Sequence, residues 1–228
     1  MEKNIKGNVI NLRNPFNYGI VEIDLSENNI DYLWKISNKA KNKKISYKNQ
    51  LVGNISNSYS VEDENNYFYN EVLEPVLKIY GEFHNENHPI AHFPYASDCF
   101  VDTTKNFKFK LDFFWVNYQN KHEFNPIHNH GGVYSFVIWL KIPYDYEDQC
   151  KLPQFKETKK CDLKPGCFQF SYYDILGIAR EKTYSLNKEE HEGKMIIFPS
   201  LLKHEVFPFY DIDEQRVSMS GNISLSKG

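Results

Sequence analysis

Eight histidines are spread along the 228 residues, and three of them fall in a pattern suited to holding a metal ion. His128 and His130 stand at i and i+2 in Asn125-Pro126-Ile127-His128-Asn129-His130-Gly131-Gly132. On an extended segment two such side chains leave the same face with α-carbons roughly 6.5–7 Å apart, close enough for both imidazoles to converge on one cation. His204, in Lys203-His204-Glu205-Val206, opens an apolar segment far downstream and is the best candidate for the third ligand. A ligand pair on one strand and a single ligand on a distant one is the layout of a metal site at a barrel mouth. His84, His88, His92, His122 and His191 lie in polar or turn-like segments and read as ordinary structural residues.

Arg216 and Ser218 follow His204 within one short stretch. The segment Phe209-Tyr210-Asp211-Ile212-Asp213-Glu214 reads as a turn, so the flanking strands are expected to form an antiparallel hairpin centred near Ile212. That register pairs His204 with Ser220 and places Arg216 and Ser218 on the face of His204. Arg216 then lies about four residues, or ~13 Å, along the sheet from the metal ligand. A diacid chelating a metal at one end would present its other carboxylate to the guanidinium. The planar fork of arginine donates two parallel hydrogen bonds to a carboxylate, and the Ser218 hydroxyl adds a third donor.

The elements that must position these groups fall into two halves. Helical periodicity runs through Ile30, Leu33, Trp34 and Ile36, with Ser26 as N-cap, and again through Phe68, Val72, Leu73, Val76, Leu77 and Tyr80. Lys39 to Asn66 is polar and rich in Asn, Ser and Lys, as a surface loop or mobile lid would be. From Asn106 onward the pattern is that of strands. Phe107, Phe109, Leu111, Phe113 and Trp115 alternate with Lys108, Lys110 and Asp112, and continuing that alternation puts Asn117 and Gln119 inward and Tyr118 outward. Further strands are expected at Val133–Ile142, Cys167–Tyr173, Ala179–Ser185, Met195–Pro199, Glu205–Phe209 and Arg216–Ser224. Helices followed by strands predict a mainly β fold with flanking helices, a jelly-roll-like sandwich. The whole of 1–228 reads as one domain, with 1–105 as helical support and 106–228 as the β core.

Composition agrees with a folded domain: 41% of residues are hydrophobic and 16% aromatic, including 17 Phe and 16 Tyr. A formal net charge of −3, with no basic cluster on an aromatic ladder, argues against a nucleic-acid groove and for a small-molecule or peptide partner. The chain has no run of 18 apolar residues, and Met1-Glu2-Lys3-Asn4 does not begin a signal peptide, so no membrane association and a cytoplasmic location are expected. Cys99, Cys150, Cys161 and Cys167 include no CxxC pair and read as free thiols rather than as bridges or zinc ligands.

Taken together, Trp115-Val116-Asn117, Pro126-Ile127-His128-Asn129-His130, Ser135-Phe136-Val137-Ile138-Trp139, His204-Glu205-Val206-Phe207-Pro208 and Arg216-Val217-Ser218 resemble the markers of the 2-oxoglutarate and iron(II)-dependent dioxygenases. The likeness is to the prolyl 4-hydroxylase-like proteins of bacteria and phages and covers about Phe107 to Ser224. It implies a double-stranded β-helix, iron(II) held by an HxD/E…H triad, and 2-oxoglutarate and O2 as cosubstrates. A downstream Arg would bind the far carboxylate of 2-oxoglutarate, and Asn117 takes the place of a residue that contacts the cosubstrate. The expected reaction is hydroxylation of a peptidyl or small-molecule C–H bond. The chain departs from the family where the carboxylate of HxD/E is replaced by His130, so that His130 is either a third neutral ligand or a neighbour of the metal ligands. Two other readings remain: a three-histidine metal dioxygenase that needs no 2-oxoglutarate, and a non-catalytic β-sandwich binding protein.

Overall fold

In a computed structural model of the chain, the structure describes residues 2–5, 8–11, 19–83, 107–159 and 162–227. His84, His88, His92, Cys99 and Cys161 lie outside the described residues.

Twelve strands are described. A short hairpin of β1 (Glu2–Ile5) and β2 (Asn8–Asn11) stands at the start. The rest form two sheets. The larger has the order β3-β10-β7-β12-β5-β4, built from β3 (Val21–Asp24), β4 (Asn57–Ser60), β5 (Phe107–Gln119), β7 (Tyr134–Lys141), β10 (Lys194–Pro199) and β12 (Arg216–Lys227). The smaller has the order β6-β11-β8-β9, built from β6 (Asn125–His128), β8 (Phe168–Tyr173), β9 (Ala179–Tyr184) and β11 (Lys203–Val206). Every pairing is antiparallel. From β5 onward the strands alternate between the two sheets, except that β8 and β9 pair with each other in the smaller one, which is the double-stranded β-helix.

Helices α1 (Glu27–Lys43) and α2 (Glu74–Phe83) cover the outer face of the larger sheet. Ser26 caps α1 by accepting from the Asn29 amide at 3.4 Å, the capping read from the sequence. Leu33, Ile36, Leu73 and Leu77 from the helical layer pack with Phe114, Val116, Phe136, Ile138 and Met219. The opposite face of the same sheet carries Val137, Trp139, Ile196 and Phe198, which pack with Phe168, Phe170 and Tyr184 of the smaller sheet. β7 is therefore buried on both faces, which is why it reads as an unbroken apolar run. Two short helices, α3 (Tyr146–Gln149) and α4 (Lys188–His191), complete the described elements near the site. No helix among the described residues is long and apolar enough to cross a membrane.

The structure corrects three expectations. First, β11 and β12 do not form a hairpin. His204 pairs with His128 on one side and Phe170 on the other, all in the smaller sheet, while β12 pairs with β5 and β7 in the larger. The turn residues between them carry the chain across from one sheet to the other, and Gln149 holds that crossing by bonding both the N–H and the C=O of Tyr210. Secondly, Lys39–Asn66 is not a plain loop: α1 runs to Lys43 and β4 pairs with β5 at the sheet edge. Thirdly, the alternation along β5 is interrupted. Asn222 pairs with Phe113 but Ile223 pairs with Leu111, so Asp112 is an extra residue in the strand. Such a bulge moves the following side chains to the other face. Phe109 and Leu111 pack on the helical side, whereas Trp115, Asn117 and Gln119 face the smaller sheet. Tyr118 turns to the helix-covered face, where it is buried with Lys41 over its ring.

Candidate metal centre

His128 ends β6, His130 follows it, and His204 lies on β11 directly opposite His128. One ligand nitrogen from each lies within 4.8 Å of the others. The reason is local. The Nδ1 of His128 lies 2.7 Å from the Pro126 carbonyl, and that of His204 2.9 Å from the Leu202 carbonyl. Each Nδ1 therefore carries the proton and donates it, which leaves Nε2 as a lone-pair donor, the tautomer that metal ligation needs. His130 is placed by its backbone N–H, which donates to the Ser200 carbonyl at 2.9 Å. The turn after it requires Gly132, at φ +96°, because a Cβ there would meet the Ile223 carbonyl oxygen at 2.8 Å.

The donor set fits a divalent cation. The Nε2 atoms of His130 and His204 are 3.2 Å apart, close to the ~3 Å edge expected for two nitrogens binding one ion at about 2.1 Å at right angles. Burial lowers the pKa of all three rings. His204 is held well below the usual value by burial and by the two other imidazoles, His130 is pushed down to about 3, and His128 is lowered despite its carbonyl partner. All three are neutral at pH 7. Aromatic rings fix their planes: Phe168 stacks on His204 at 5.6 Å, Phe198 meets it edge-on at 4.9 Å, and Trp115 sits 5.7 Å from His130.

A cavity between the two sheets joins the triad to Arg216. Asn117, Gln119, Asn125, Ser218 and Ser220 give it a polar lining, and Trp115, Val137, Trp139 and Val206 an apolar one. In the sheet, Ser218 lies opposite Asn117 and Arg216 opposite Gln119. The structure thus brings His128, His130, His204, Arg216, Ser218 and Asn117 to one cavity, although the hairpin used to place Arg216 does not exist. His122 is in a turn with its ring edge-on to Tyr210, and His191 is buried against Trp139 and Tyr184. Neither belongs to the cluster.

Arg216 is 2% exposed. Its guanidinium donates to the Gln119 side-chain oxygen, the Tyr144 hydroxyl and the carbonyls of Gly166 and Phe207. All are neutral acceptors, and among the described residues no carboxylate forms an ion pair with it. A buried cation without a counter-charge is costly, so this end of the cavity is built for an anion.

Three residues at or behind the cavity were given no role from the sequence. Tyr144 and Gly166 hold the guanidinium, and Asn125 lies in the cavity wall with its side-chain oxygen unpaired. Asn125 stands beside the His128 pair, so an inward polar residue on the ligand strand was the signal available. Ile55 closes one wall at 4% exposure. Its neighbours are tied down, since the Asn54 N–H donates to the Phe124 carbonyl and the Ser56 N–H to the Glu123 carboxylate.

The fold and the site together define a double-stranded β-helix whose cavity joins three convergent imidazoles, able to hold a metal ion, to a buried arginine. The profile of a family described as "Putative 2OG-Fe(II) oxygenase" matches residues 113–222. This segment, which contains all three histidines and Arg216, is what the chain shares with the 2-oxoglutarate/iron(II) oxygenases. Among solved structures, the chain is similar to a prolyl-4-hydroxylase of Pseudomonas putida, with 13% identity over 91% of this chain and 92% of that one and a TM-score of 0.46. It is also similar to an oxidoreductase of the 2OG-Fe(II) oxygenase family from Burkholderia pseudomallei, with 13% identity over 92% of this chain and 86% of that one and a TM-score of 0.46. No curated protein sequence matches the chain.

Proposed function

We propose that the protein is an iron(II)- and 2-oxoglutarate-dependent oxygenase that hydroxylates a C–H bond of a small molecule or peptide. The observation that carries this reading is the buried, uncompensated Arg216 guanidinium sharing one cavity with three convergent, neutral imidazoles. His128, His130 and His204 would hold iron(II) through Nε2. Bound there, the metal would supply dioxygen activation, while oxidative decarboxylation of 2-oxoglutarate to succinate and carbon dioxide provides two electrons and takes up one oxygen atom, the other entering the substrate C–H bond.

The chain's own groups bind and orient. Arg216 attracts the far carboxylate of 2-oxoglutarate by its uncompensated charge and donates to it by giving up its longest bond, 3.5 Å to the Phe207 carbonyl, with the Ser218 hydroxyl as a further donor. Asn117 accepts from Ser58 through its side-chain oxygen at 2.7 Å, which turns its amide N–H group toward the cosubstrate. Trp115, Val137, Trp139 and Ile55 keep water from the reacting end. We take residues 1–228 as one oxygenase domain, because helices from the first half and strands from the second share one core. We also place it in the cytoplasm, where iron(II) and thiols such as Cys150 and Cys167 stay reduced.

Anaerobic addition of iron(II) and then 2-oxoglutarate should produce a visible charge-transfer band, and admission of oxygen should yield succinate. Arg216→Ala should weaken 2-oxoglutarate binding while sparing iron(II), since it removes the charge-assisted partner and no ligand. Equal loss of both would contradict the assignment. The third neutral ligand, His130, favours a second reading, a three-histidine dioxygenase in which Arg216 binds the substrate itself. Oxygen consumption without succinate would establish it.

A further inference from the structure

Arg216 owes its orientation to Gln119. The side-chain oxygen of Gln119 accepts from Nε of the guanidinium at 3.1 Å and from Nη2 at 2.5 Å. Its own Nε2 donates to the Glu123 carbonyl at 2.5 Å. The amide is thus fixed at both ends, with the oxygen facing the cation. Gln119 is 2% exposed and sits opposite Arg216 across the β5–β12 ladder.

Glutamate has the shape of glutamine and would form the bidentate ion pair that a guanidinium favours. The chain places the neutral isostere there instead. Glu123, a buried carboxylate on the same side, is engaged elsewhere, by Ser56 and by the backbone and side chain of Asn120. Every acceptor around Arg216 therefore orients the cation without neutralising it.

We infer that Gln119 is a positioning residue that fixes Arg216 while leaving its charge uncancelled, so that the site selects a 2-oxo acid with a second carboxylate over a monocarboxylic one. The inference rests on the proposed function, since it takes the far carboxylate of the cosubstrate to be what meets the guanidinium. A glutamate at 119 would satisfy Arg216 internally and compete with the ligand for it. Affinity for the dicarboxylic ligand must then fall more than affinity for a monocarboxylic one.

The test is Q119E, measured in two ways. Thermal unfolding of the ligand-free variant checks that it folds, since the new carboxylate gains a pair with Arg216 but loses the bond to the Glu123 carbonyl. Calorimetric titration of the metal-loaded protein with 2-oxoglutarate, under anaerobic conditions, should show affinity lower by about tenfold or more, since the anion now meets a paired cation. Preference for 2-oxoglutarate over pyruvate should shrink in step. A glutamine that merely supported the fold would leave the preference for 2-oxoglutarate over pyruvate in Q119E as it is in the wild type, and that outcome overturns the inference. Should Q119E fail to fold, Gln119→Met removes the acceptor without adding charge; weaker 2-oxoglutarate binding supports the inference and binding within twofold of the wild type overturns it. A wild-type protein that binds no 2-oxoglutarate overturns the proposed function and this inference with it, whereas unchanged binding in Q119E overturns the inference alone.

Discussion

His130 occupies the position at which the resemblance implies a carboxylate, and the physical consequence is one of charge. Three neutral imidazoles leave a divalent ion at a formal +2, where two imidazoles and a carboxylate leave +1. His130→Asp should therefore bind iron(II) at least as tightly as the wild type, as read by anaerobic titration, if the ring is a ligand; loss of folding would mark it as structural. The depressed pKa values have a consequence for stability as well. Burial lowers the pKa of His191, as it does those of the triad, so the metal-free fold keeps these rings neutral while the unfolded chain takes up protons near 6.5. Below that pH the unfolded state binds more protons, and stability falls as pH falls, by about 1.4 kcal/mol per pH unit for each such histidine until its folded-state pKa is reached. Urea denaturation of the metal-free protein between pH 7.5 and 5 should show this decline, and His191→Asn should make it shallower. The triad was legible in the sequence because ligand chemistry restricts residue type and spacing. Tyr144 and Gln119 were not assigned to Arg216, because their role depends on which strands lie side by side.

Register is where reasoning from sequence and the structure part company at the scale of elements. The punctuation at 209–214 reads as a hairpin turn, but local turn signals do not say whether the next strand returns to the same sheet. The one-residue bulge at Asp112 is likewise silent in the sequence, although it decides which of Asn117 and Tyr118 enters the cavity. β4 escaped notice because an edge strand reading Asn-Ser-Tyr-Ser offers little apolar contrast. The long strands β5, β7, β8, β10 and β12 were legible because burial on one or both faces imposes a strong pattern. Gly166 shows how finely one connection is fitted. It has φ +69°, a Cβ there would sit 2.5 Å from the Tyr144 ring, and its carbonyl accepts from both Tyr144 and Arg216. Gly166→Ala should destabilise the protein by more than ~1 kcal/mol in urea denaturation and weaken 2-oxoglutarate binding as well. Gly177→Ala, with φ +74° and open space around it, should incur the backbone strain alone and leave binding unchanged.

At the scale of the molecule the metal centre depends on elements that never touch it. The larger sheet buries residues on both faces, so Phe114, Phe136, Ile138 and Met219 need the helical layer as much as Trp139 and Phe198 need the smaller sheet. Leu33, Phe68 and Leu73 are fully buried against that outer face. Removing them would leave a wide apolar surface in water, at a cost of roughly 25 cal/mol for each Å2 exposed. The strands that position His128, His204 and Arg216 would then lose the layer that holds β5, β7 and β12 in register. A fragment comprising 106–228 holds every proposed ligand, yet it should lack sharp side-chain NMR dispersion and bind iron(II) weakly. Co-expression with 1–105 should restore both, because the two segments complete one core. Full iron affinity and cooperative unfolding in 106–228 alone would show instead that the helical layer is a separable unit.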